Sequence, residues 1–414
     1  MTPAQNSQNT PEHDLSRTLA RQADRYVENG GTGLELDRVL SRAGEIRRGR
    51  RMRASMVMAA VVLAVAVPVG ISALGNDPTV RPPVGPAGTP TAKTTDVSPL
   101  SLDGLRVGGA PAHGYLYAGT LHGPEGEQPL GKGGEPVQVA RINGGFLVQR
   151  SALDVSNPDT ASFIADDGSR ASTSWPVGAG GFAVSPDRNV GAFVEPDGTV
   201  LAVQDGGSRF FEIGTVPVPD AASVTAVAVT GENCSGRSEE IGCTVYVTST
   251  GENPQTWSIS PNTPGRVVSN GQQRVVAVSA DGLVAGYTSV TDDGSCSSVT
   301  DGSDKVWNTC DHSLSAFSPS GKLLLAGPAY KSGAGDSELA VLDAVTGEPR
   351  LQLSASPDVI ITAVTWEDDE HLIVNLLDGD AKAALVRVAL DGSRELASPV
   401  VRPVDAYVSP YNLG

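Results

Sequence analysis

The chain has 414 residues, of which 48 are glycine, 29 are proline and 19% are charged, a composition typical of a turn-rich β protein. Its hydrophobic content of 39% is enough to form a core, which argues against global disorder. Residues 1–75 hold 10 basic and 7 acidic side chains, whereas residues 76–414 hold the other 20 and 40, a net charge of −20. So acidic a region repels phosphate backbones, which argues against nucleic-acid binding.

The N-terminal part, residues 1–53, contains two stretches with apolar residues at helical spacing, 15–27 and 36–46, separated by the glycine-rich segment 29–33. They predict two short amphipathic helices, followed by six arginines within residues 42–53. Helices this short bury little by themselves. They would pack on each other, lie on the inner leaflet or dock on a cytosolic partner, and a weakly ordered basic tail is the alternative.

Residues 54–74 form an uncharged, strongly apolar run of 21 residues, long enough to cross a bilayer as a helix. Since the arginines precede it and few basic residues follow, the positive-inside rule places the N-terminus in the cytoplasm and residues 76–414 outside. A cleaved secretory signal is the alternative, but the run is long and lacks a clear cleavage site. The prediction is a single-pass plasma-membrane protein with a Pro/Thr-rich linker at residues 75–100.

From residue 101 onward, short β runs alternate with turns, and an opening phrase such as "AVSPDRN" recurs with a period of about 45 residues. The repeats are centred on Arg141, Ser185, Thr230, Ser279, Ser318, Thr365 and Ser409. A period of this length, made of four short strands, is that of a propeller blade. The sequence therefore predicts a mainly β ectodomain, a seven-bladed β-propeller over residues 101–414.

The last repeat, "YVSP", lies at the very end of the chain, whereas the strands near Leu105 lack an inner strand of their own. We expect a C-terminal strand at 404–410 to join that first blade. Pairing the two ends of the chain in one blade would close the ring and remove exposed sheet edges. Six blades followed by a loose C-terminal tail are the alternative.

The phrases "AVSPDRNVGAFV", "AFSPSGKLLLAG" and "AVTWEDDEHLIVNL" resemble the TolB-like and WD-like propeller repeat, although the GH and WD dipeptides of true WD repeats are missing. The resemblance covers roughly residues 105–414 and implies a fold rather than a ligand. The whole layout is similar to actinobacterial single-pass membrane proteins with an extracytoplasmic propeller. Some of these proteins are partners of extracytoplasmic-function sigma factors, and the similarity implies such a partner for this chain.

All four cysteines lie in the part predicted to be outside, as two close pairs: Cys234 with Cys243, and Cys296 with Cys310. Four cysteines allow three disulfide connectivities, of which local pairing is the simplest. Disulfides persist outside the cytoplasm. A zinc site is the alternative, but there is no C-x-x-C motif and only His312 lies nearby.

Two stretches, residues 230–247 and 288–313, are predicted to be long loops cross-linked by these disulfides, and such loops often contain the residues that bind a partner or ligand. Their candidate binding residues are Glu239, Glu240, Asp292, Asp293, Asp301, Asp304 and Trp307. Calcium binding by the aspartates is an alternative, but the spacing of a calcium loop is absent. A shared binding face is one hypothesis, and simple stapling of long loops is the other.

No catalytic motif is found, so we do not expect an enzyme, a cofactor or a metal. The preferred function is a membrane-anchored, extracytoplasmic binding or sensing module of the cell envelope with a protein partner. One alternative is an anti-sigma-like transmembrane regulator acting through residues 12–53, although a zinc-type domain is excluded because this part has no cysteine. A cell-envelope enzyme is the third reading.

Overall fold

The structure is a computed structural model that describes residues 99–130, 134–152, 157–178, 181–204, 206–207, 209–216, 224–236, 242–250, 254–268, 270–330, 335–403 and 409–413. The predicted cytoplasmic helices, the apolar run 54–74 and the linker up to residue 98 lie outside these residues. None of the described residues belongs to a helix long and apolar enough to cross a membrane.

The described residues form 28 strands in seven four-stranded antiparallel sheets, which are the blades of a propeller. Blade 1 contains β1 (Tyr115–Tyr117), β2 (Thr120–Gly123) and β3 (Gly126–Pro129). Blade 2 contains β4 (Pro136–Ile142), β5 (Gly145–Arg150), β6 (Asp159–Ala165) and β7 (Arg170–Val177). Blade 3 contains β8 (Ala183–Val184), β9 (Gly191–Val194), β10 (Thr199–Gln204) and β11 (Arg209–Thr215). Blade 4 contains β12 (Val224–Thr230), β13 (Thr244–Ser249), β14 (Thr256–Ile259) and β15 (Arg266–Val267).

The remaining blades follow the same plan, with the strands of each sheet in chain order. Blade 5 contains β16 (Arg274–Val278), β17 (Leu283–Thr291), β18 (Gly294–Asp301) and β19 (Asp304–Thr309). Blade 6 contains β20 (His312–Phe317), β21 (Leu323–Pro328), β22 (Glu338–Asp343) and β23 (Pro349–Ser354). Blade 7 contains β24 (Val359–Trp366), β25 (His371–Asp378), β26 (Ala383–Ala389) and β27 (Arg394–Leu396). The last strand, β28 (Tyr411–Asn412), belongs to blade 1. The predicted seven-bladed propeller is confirmed.

The ring closes where the C-terminal strand β28 joins β1, with Leu116 opposite Asn412 and Tyr117 opposite Tyr411. The pairing therefore lies just after the predicted strand at 404–410, of which residues 404–408 lie outside the described part. The Asn412 amide also donates a hydrogen bond to the carbonyl of Val137 at the start of blade 2. Closure thus pairs the first and the last strand of the propeller and removes two sheet edges that would otherwise be open.

The recurring serine of the opening phrase has a structural role at the turn after the inner strand. Ser185, Ser279 and Ser318 are all buried. Their hydroxyl oxygens accept hydrogen bonds from the N–H groups of Val190, Leu283 and Leu323, which lie at or directly before the start of the next strand, over 3.0, 3.0 and 3.4 Å. Such a bond satisfies a turn N–H that the main chain alone would leave unpaired. The repeat motif therefore specifies turn geometry.

The segment before β1 covers the outer edges of blades 6 and 7. Leu100 is fully buried, and its N–H donates to the carbonyl of Ser354 over 2.7 Å. Further along, the N–H of Leu396 donates to the carbonyl of Arg106 over 2.9 Å. Residues 99–113, which we call the leading segment, therefore form part of the propeller and shield two edge strands.

Candidate functional site

Two cavities lie at opposite ends of the inner strands. The first, the channel mouth, encloses about 230 Å³ where the C-terminal ends of six inner strands converge. It is lined by apolar strand ends and by three basic side chains, Arg141, Arg188 and His113. The second, the side cleft, encloses about 600 Å³ at the other end of β16. Its volume falls within the usual range of ligand pockets.

At the channel mouth, the His113 ring contacts the guanidinium of Arg188 and the main-chain carbonyl of Glu367. Burial, together with the positive charge of Arg188, lowers the pKa of His113 to about 4. Burial and the nearby Arg141 lower the pKa of Arg188 to about 10. At neutral pH the imidazole is therefore neutral and Arg188 is charged.

Arg141 is already neutralised by an acidic partner. Its guanidinium forms two hydrogen bonds to the carboxylate of Asp166, one of them 3.0 Å long, and lies over the ring of Phe146 at 4.6 Å. Such a bidentate pair fixes the side chain in place. Arg141 is thus a fixed part of the wall of the channel mouth.

The channel mouth is tied to the leading segment by a buried carboxylate, Glu367. Arg387 binds Glu367 through two hydrogen bonds, and the N–H of Ala112 donates to the same carboxylate over 2.6 Å. Burial opposes ionisation of Glu367, but these hydrogen bonds outweigh it and lower the pKa of Glu367. Arg387 also binds Glu395 over 2.6 Å and the carbonyl of Ala110 over 3.1 Å. This network fastens the leading segment across blade 7.

The side cleft is built by blades 4, 5 and 6. Strands β17 and β18 form a hairpin whose tip carries Asp292, and the end of β21 and the residues after it form the facing wall. Two side chains on its wall are exposed apolar or aromatic groups, Val290 at 63% and Tyr330 at 45% exposure. Exposed large apolar groups that cluster at a cavity are typical of recognition sites.

Inside the cleft, Arg274 is a partly buried cation at the start of β16. Its Nε is buried and has no hydrogen-bond partner among the described residues. Tyr287, which lies opposite Arg274 in the strand pairing, shares a 2.9 Å hydrogen bond between its hydroxyl and that of Ser313. The cleft thus combines an apolar wall with an arginine that has no acidic partner among the described residues, which suits an anionic ligand.

The structure separates the four candidate aspartates. Asp292 and Asp293 form the turn between β17 and β18, whereas Asp301 and Asp304 flank the turn at the other end of β18. Only Asp292 lines the side cleft. Across the described residues, no three His, Cys, Asp or Glu side chains are grouped so that they could hold a metal ion. Glu239 and Glu240 lie outside the described residues.

Trp307 packs between blades rather than facing solvent. Its indole N–H donates to the carbonyl of Ala344 in blade 6 over 2.9 Å, and a side chain at Gly347 would collide with its ring. Trp366 makes an equivalent bond to the carbonyl of Ala316 over 3.1 Å. Both tryptophans therefore join neighbouring blades, which is a packing role.

Both disulfides have the local pairing that the sequence favours. Cys234 and Cys243 are buried and close the connection between β12 and β13. Cys296 lies on β18 and Cys310 directly follows β19, so this second disulfide joins two strands of blade 5. The stretch 288–313 is accordingly made of strands and tight turns, because its residues continue the ladder of blade 5, and the expectation of a long loop there is wrong.

The two disulfides also lie at opposite ends of their blades. The first follows an inner strand and lies toward the channel-mouth end, whereas Cys296 is next to Ser295 of the side cleft. The two disulfides therefore lie on different faces, whereas the turn between Asp301 and Asp304 lies at the same end of the blades as Cys234 and Cys243. No sequence motif marks Arg274, Tyr330 and Val290, because they come from three separate strand ends.

The structure is a seven-bladed β-propeller with a cleft at the end of the inner strands opposite the channel mouth. No protein-family model and no curated protein matches the chain.

Several solved structures are similar in fold. Prolyl oligopeptidase B from Galerina marginata is 12% identical, with a TM-score of 0.45 over 66% of this chain and 43% of that one. The propeller domain of Cps50 (Swd1) from Myceliophteria thermophila is 10% identical, with a TM-score of 0.43 over 70% and 89%. Puromycin hydrolase is 13% identical, with a TM-score of 0.43 over 65% and 47%. The chain thus spans less than half the length of either hydrolase, and these likenesses concern the fold alone.

Proposed function

We propose that the protein is a membrane-anchored, extracytoplasmic propeller of the cell envelope that binds a ligand or partner at the side cleft. The observation that carries the proposal is the cleft of about 600 Å³, with exposed Val290 and Tyr330 on its wall and Arg274 inside it. The apolar run 54–74, the arginines before it and the two disulfides support an anchored, oxidising location. We further propose that the propeller is of the TolB-like type and that the protein is related to the actinobacterial single-pass membrane proteins whose layout it resembles.

Binding rather than catalysis is the proposed activity. In the described lining of the side cleft there is no histidine, and at the channel mouth His113 contacts Arg188 and a main-chain carbonyl rather than a nucleophile. A nucleophile needs an adjacent base for covalent catalysis. A ligand-binding cleft needs only the apolar wall and the polar anchor that are present.

Site-specific photo-crosslinking in intact cells tests the binding site. A photoreactive phenylalanine analogue would replace Tyr330 in the full-length chain, and Val345, which is exposed at 60% on a turn of blade 6, would carry it as the matched control. We expect a discrete adduct from position 330 and none from position 345. Equal labelling from both positions, or none from either, would contradict a cleft-centred binding function.

The location needs its own experiment. A thiol-reactive, membrane-impermeant label added to intact cells after mild reduction should reach Cys310, which is exposed in the structure. The same label should not reach a cysteine introduced at Ser16 in the predicted cytoplasmic part unless the cells are lysed. Labelling of Ser16→Cys in intact cells would overturn the proposed orientation.

A second function is a transmembrane regulator of a sigma factor, which the two amphipathic stretches within residues 12–53 favour. Purifying the full chain and a variant lacking residues 12–53 from the native host tests it. A sigma factor that is retained by the full chain and lost with the deletion supports this function, and its absence from both would count against it.

A further inference from the structure

We infer that the side cleft recognises a carboxylate attached to an apolar or aromatic group. This inference rests on the proposed binding function and names the chemistry of the ligand. The three relevant side chains are Arg274, which would bind the carboxylate, and Tyr330 and Val290, which would contact the apolar part.

Arg274 has no side-chain partner among the described residues. A buried guanidinium nitrogen with no partner costs free energy, and the large majority of buried side-chain polar atoms in native proteins are paired. Among the described residues, Arg274 forms neither a side-chain hydrogen bond nor an ion pair, although its Nε is buried. Arg141, Arg350 and Arg387 all have carboxylate partners. An anion bound in the cleft would give Arg274, which lines the cleft, the acidic partner that it lacks among the described residues.

The charge of the rest of the cleft also bears on the ligand. Arg274 is the only basic side chain of the described lining, and the acidic Asp292 lies on the same wall. A dianionic phosphate needs more positive charge than one arginine supplies. A carboxylate carries a single negative charge and matches the planar fork of one guanidinium. The charge balance therefore favours a carboxylate.

The cleft also has an apolar wall beside Arg274. Val290 and Tyr330 remain exposed although they are large and apolar or aromatic, and together with Pro254 they leave an apolar surface near the arginine. An apolar group held beside the carboxylate would bury this surface and strengthen binding. The C-terminal residue of a peptide and a free aryl or alkyl carboxylic acid both have this chemistry.

Matched acids and amides test the inference on the full-length chain purified in detergent. The probes are 3-phenylpropionate with 3-phenylpropanamide, and N-acetyl-alanyl-phenylalanine with its C-terminal amide. We expect each acid to bind at least tenfold more tightly than its amide by calorimetry. Tighter binding of the dipeptide acid than of 3-phenylpropionate would identify a peptide end as the source, and the reverse would identify a free acid.

Variants assign the roles of the side chains. Arg274→Gln should remove the preference for acids, Tyr330→Ala should weaken acids and amides alike, and Arg350→Gln, at an exposed ion pair elsewhere, should change neither. Thermal melts would establish that each variant is folded, and the acid–amide comparison on the unaltered chain needs no variant.

Equal affinity of acids and amides, tighter binding of phenyl phosphate, or no binding of any probe would overturn the inference. A persistent crosslink at position 330 in that case would leave the binding function standing.

Discussion

The side-chain amide of Asn375 donates a hydrogen bond to the main-chain carbonyl of Tyr411 over 3.0 Å. Both residues are buried, Asn375 in blade 7 and Tyr411 in the strand that completes blade 1. The ring of Tyr411 also stacks on Tyr117, with centroids 5.1 Å apart, and its hydroxyl donates to the carbonyl of Pro399. The closing strand is only two residues long, so its attachment depends on these side chains.

We therefore expect Tyr411→Ala to lower the free energy of unfolding by about 3 kcal/mol or more, since a buried aromatic ring is lost together with its hydrogen bond. Chemical denaturation of the full chain would measure this. Tyr330→Ala, at an exposed tyrosine, should change stability by less than about 0.5 kcal/mol. Equal stability of Tyr411→Ala and the unaltered chain would contradict closure of the ring by β28.

The second prediction concerns Arg387, which neutralises the buried Glu367. Arg387→Ala should cost about 3–5 kcal/mol, because it leaves a buried carboxylate without its cation. Arg350→Ala is the matched control, because Arg350 is 57% exposed in its pair with Asp343. An exposed pair contributes about 0–1 kcal/mol, so the control should be nearly neutral. Similar losses in the two variants would show that the Glu367 network is not buried as described.

The third prediction is a pH dependence caused by His113. Its pKa is about 4 when folded and 6.5 in its ordinary range, so between these values the unfolded chain binds a proton that the folded chain does not. Stability should therefore fall as the pH decreases from 6.5 to 4, by an amount on the order of 3 kcal/mol for this group. Arg188 and Arg141 oppose protonation of His113, and Glu367 favours it.

Unfolding measured across this pH range on the unaltered chain and on His113→Gln isolates the effect. The variant should lose less stability on acidification than the unaltered chain. Val345→Ala, at an exposed side chain that does not titrate, serves as the control and should leave the slope unchanged. Parallel pH profiles for the unaltered chain and His113→Gln would refute the assignment.

The fourth prediction separates the two disulfides. Cys310 is exposed, whereas Cys234 and Cys243 are both buried. Because thiol exchange requires access to a sulfur, a mild reductant acting on the folded protein should open the Cys296–Cys310 bond first. Alkylation followed by mass spectrometry would report the order, with a denatured sample as the reference in which all four cysteines react. Simultaneous labelling of both pairs in the folded protein would be inconsistent with the structure.

The blade count was predictable because each blade repeats a local pattern. The turn after each inner strand is specified by a serine and a few neighbouring residues, as Ser185 and Ser318 show. The local disulfide pairing was also predictable, because the two cysteines of each pair are close in the sequence. The stretch 288–313 was mistaken for a loop, because its Gly, Ser and Asp residues are typical of loops although they continue a β ladder.

The repeat, the fold class and the residues that close the turns could be predicted from the sequence, because all of them depend on contacts between near neighbours. Which distant residues meet depends on the folded ring of blades. His113 lies 254 residues from its partner Glu367, and Arg274 and Tyr330 reach one cleft from different blades. The physical reason is that each cavity lies where several blades converge, so no single blade contains the pattern of the site.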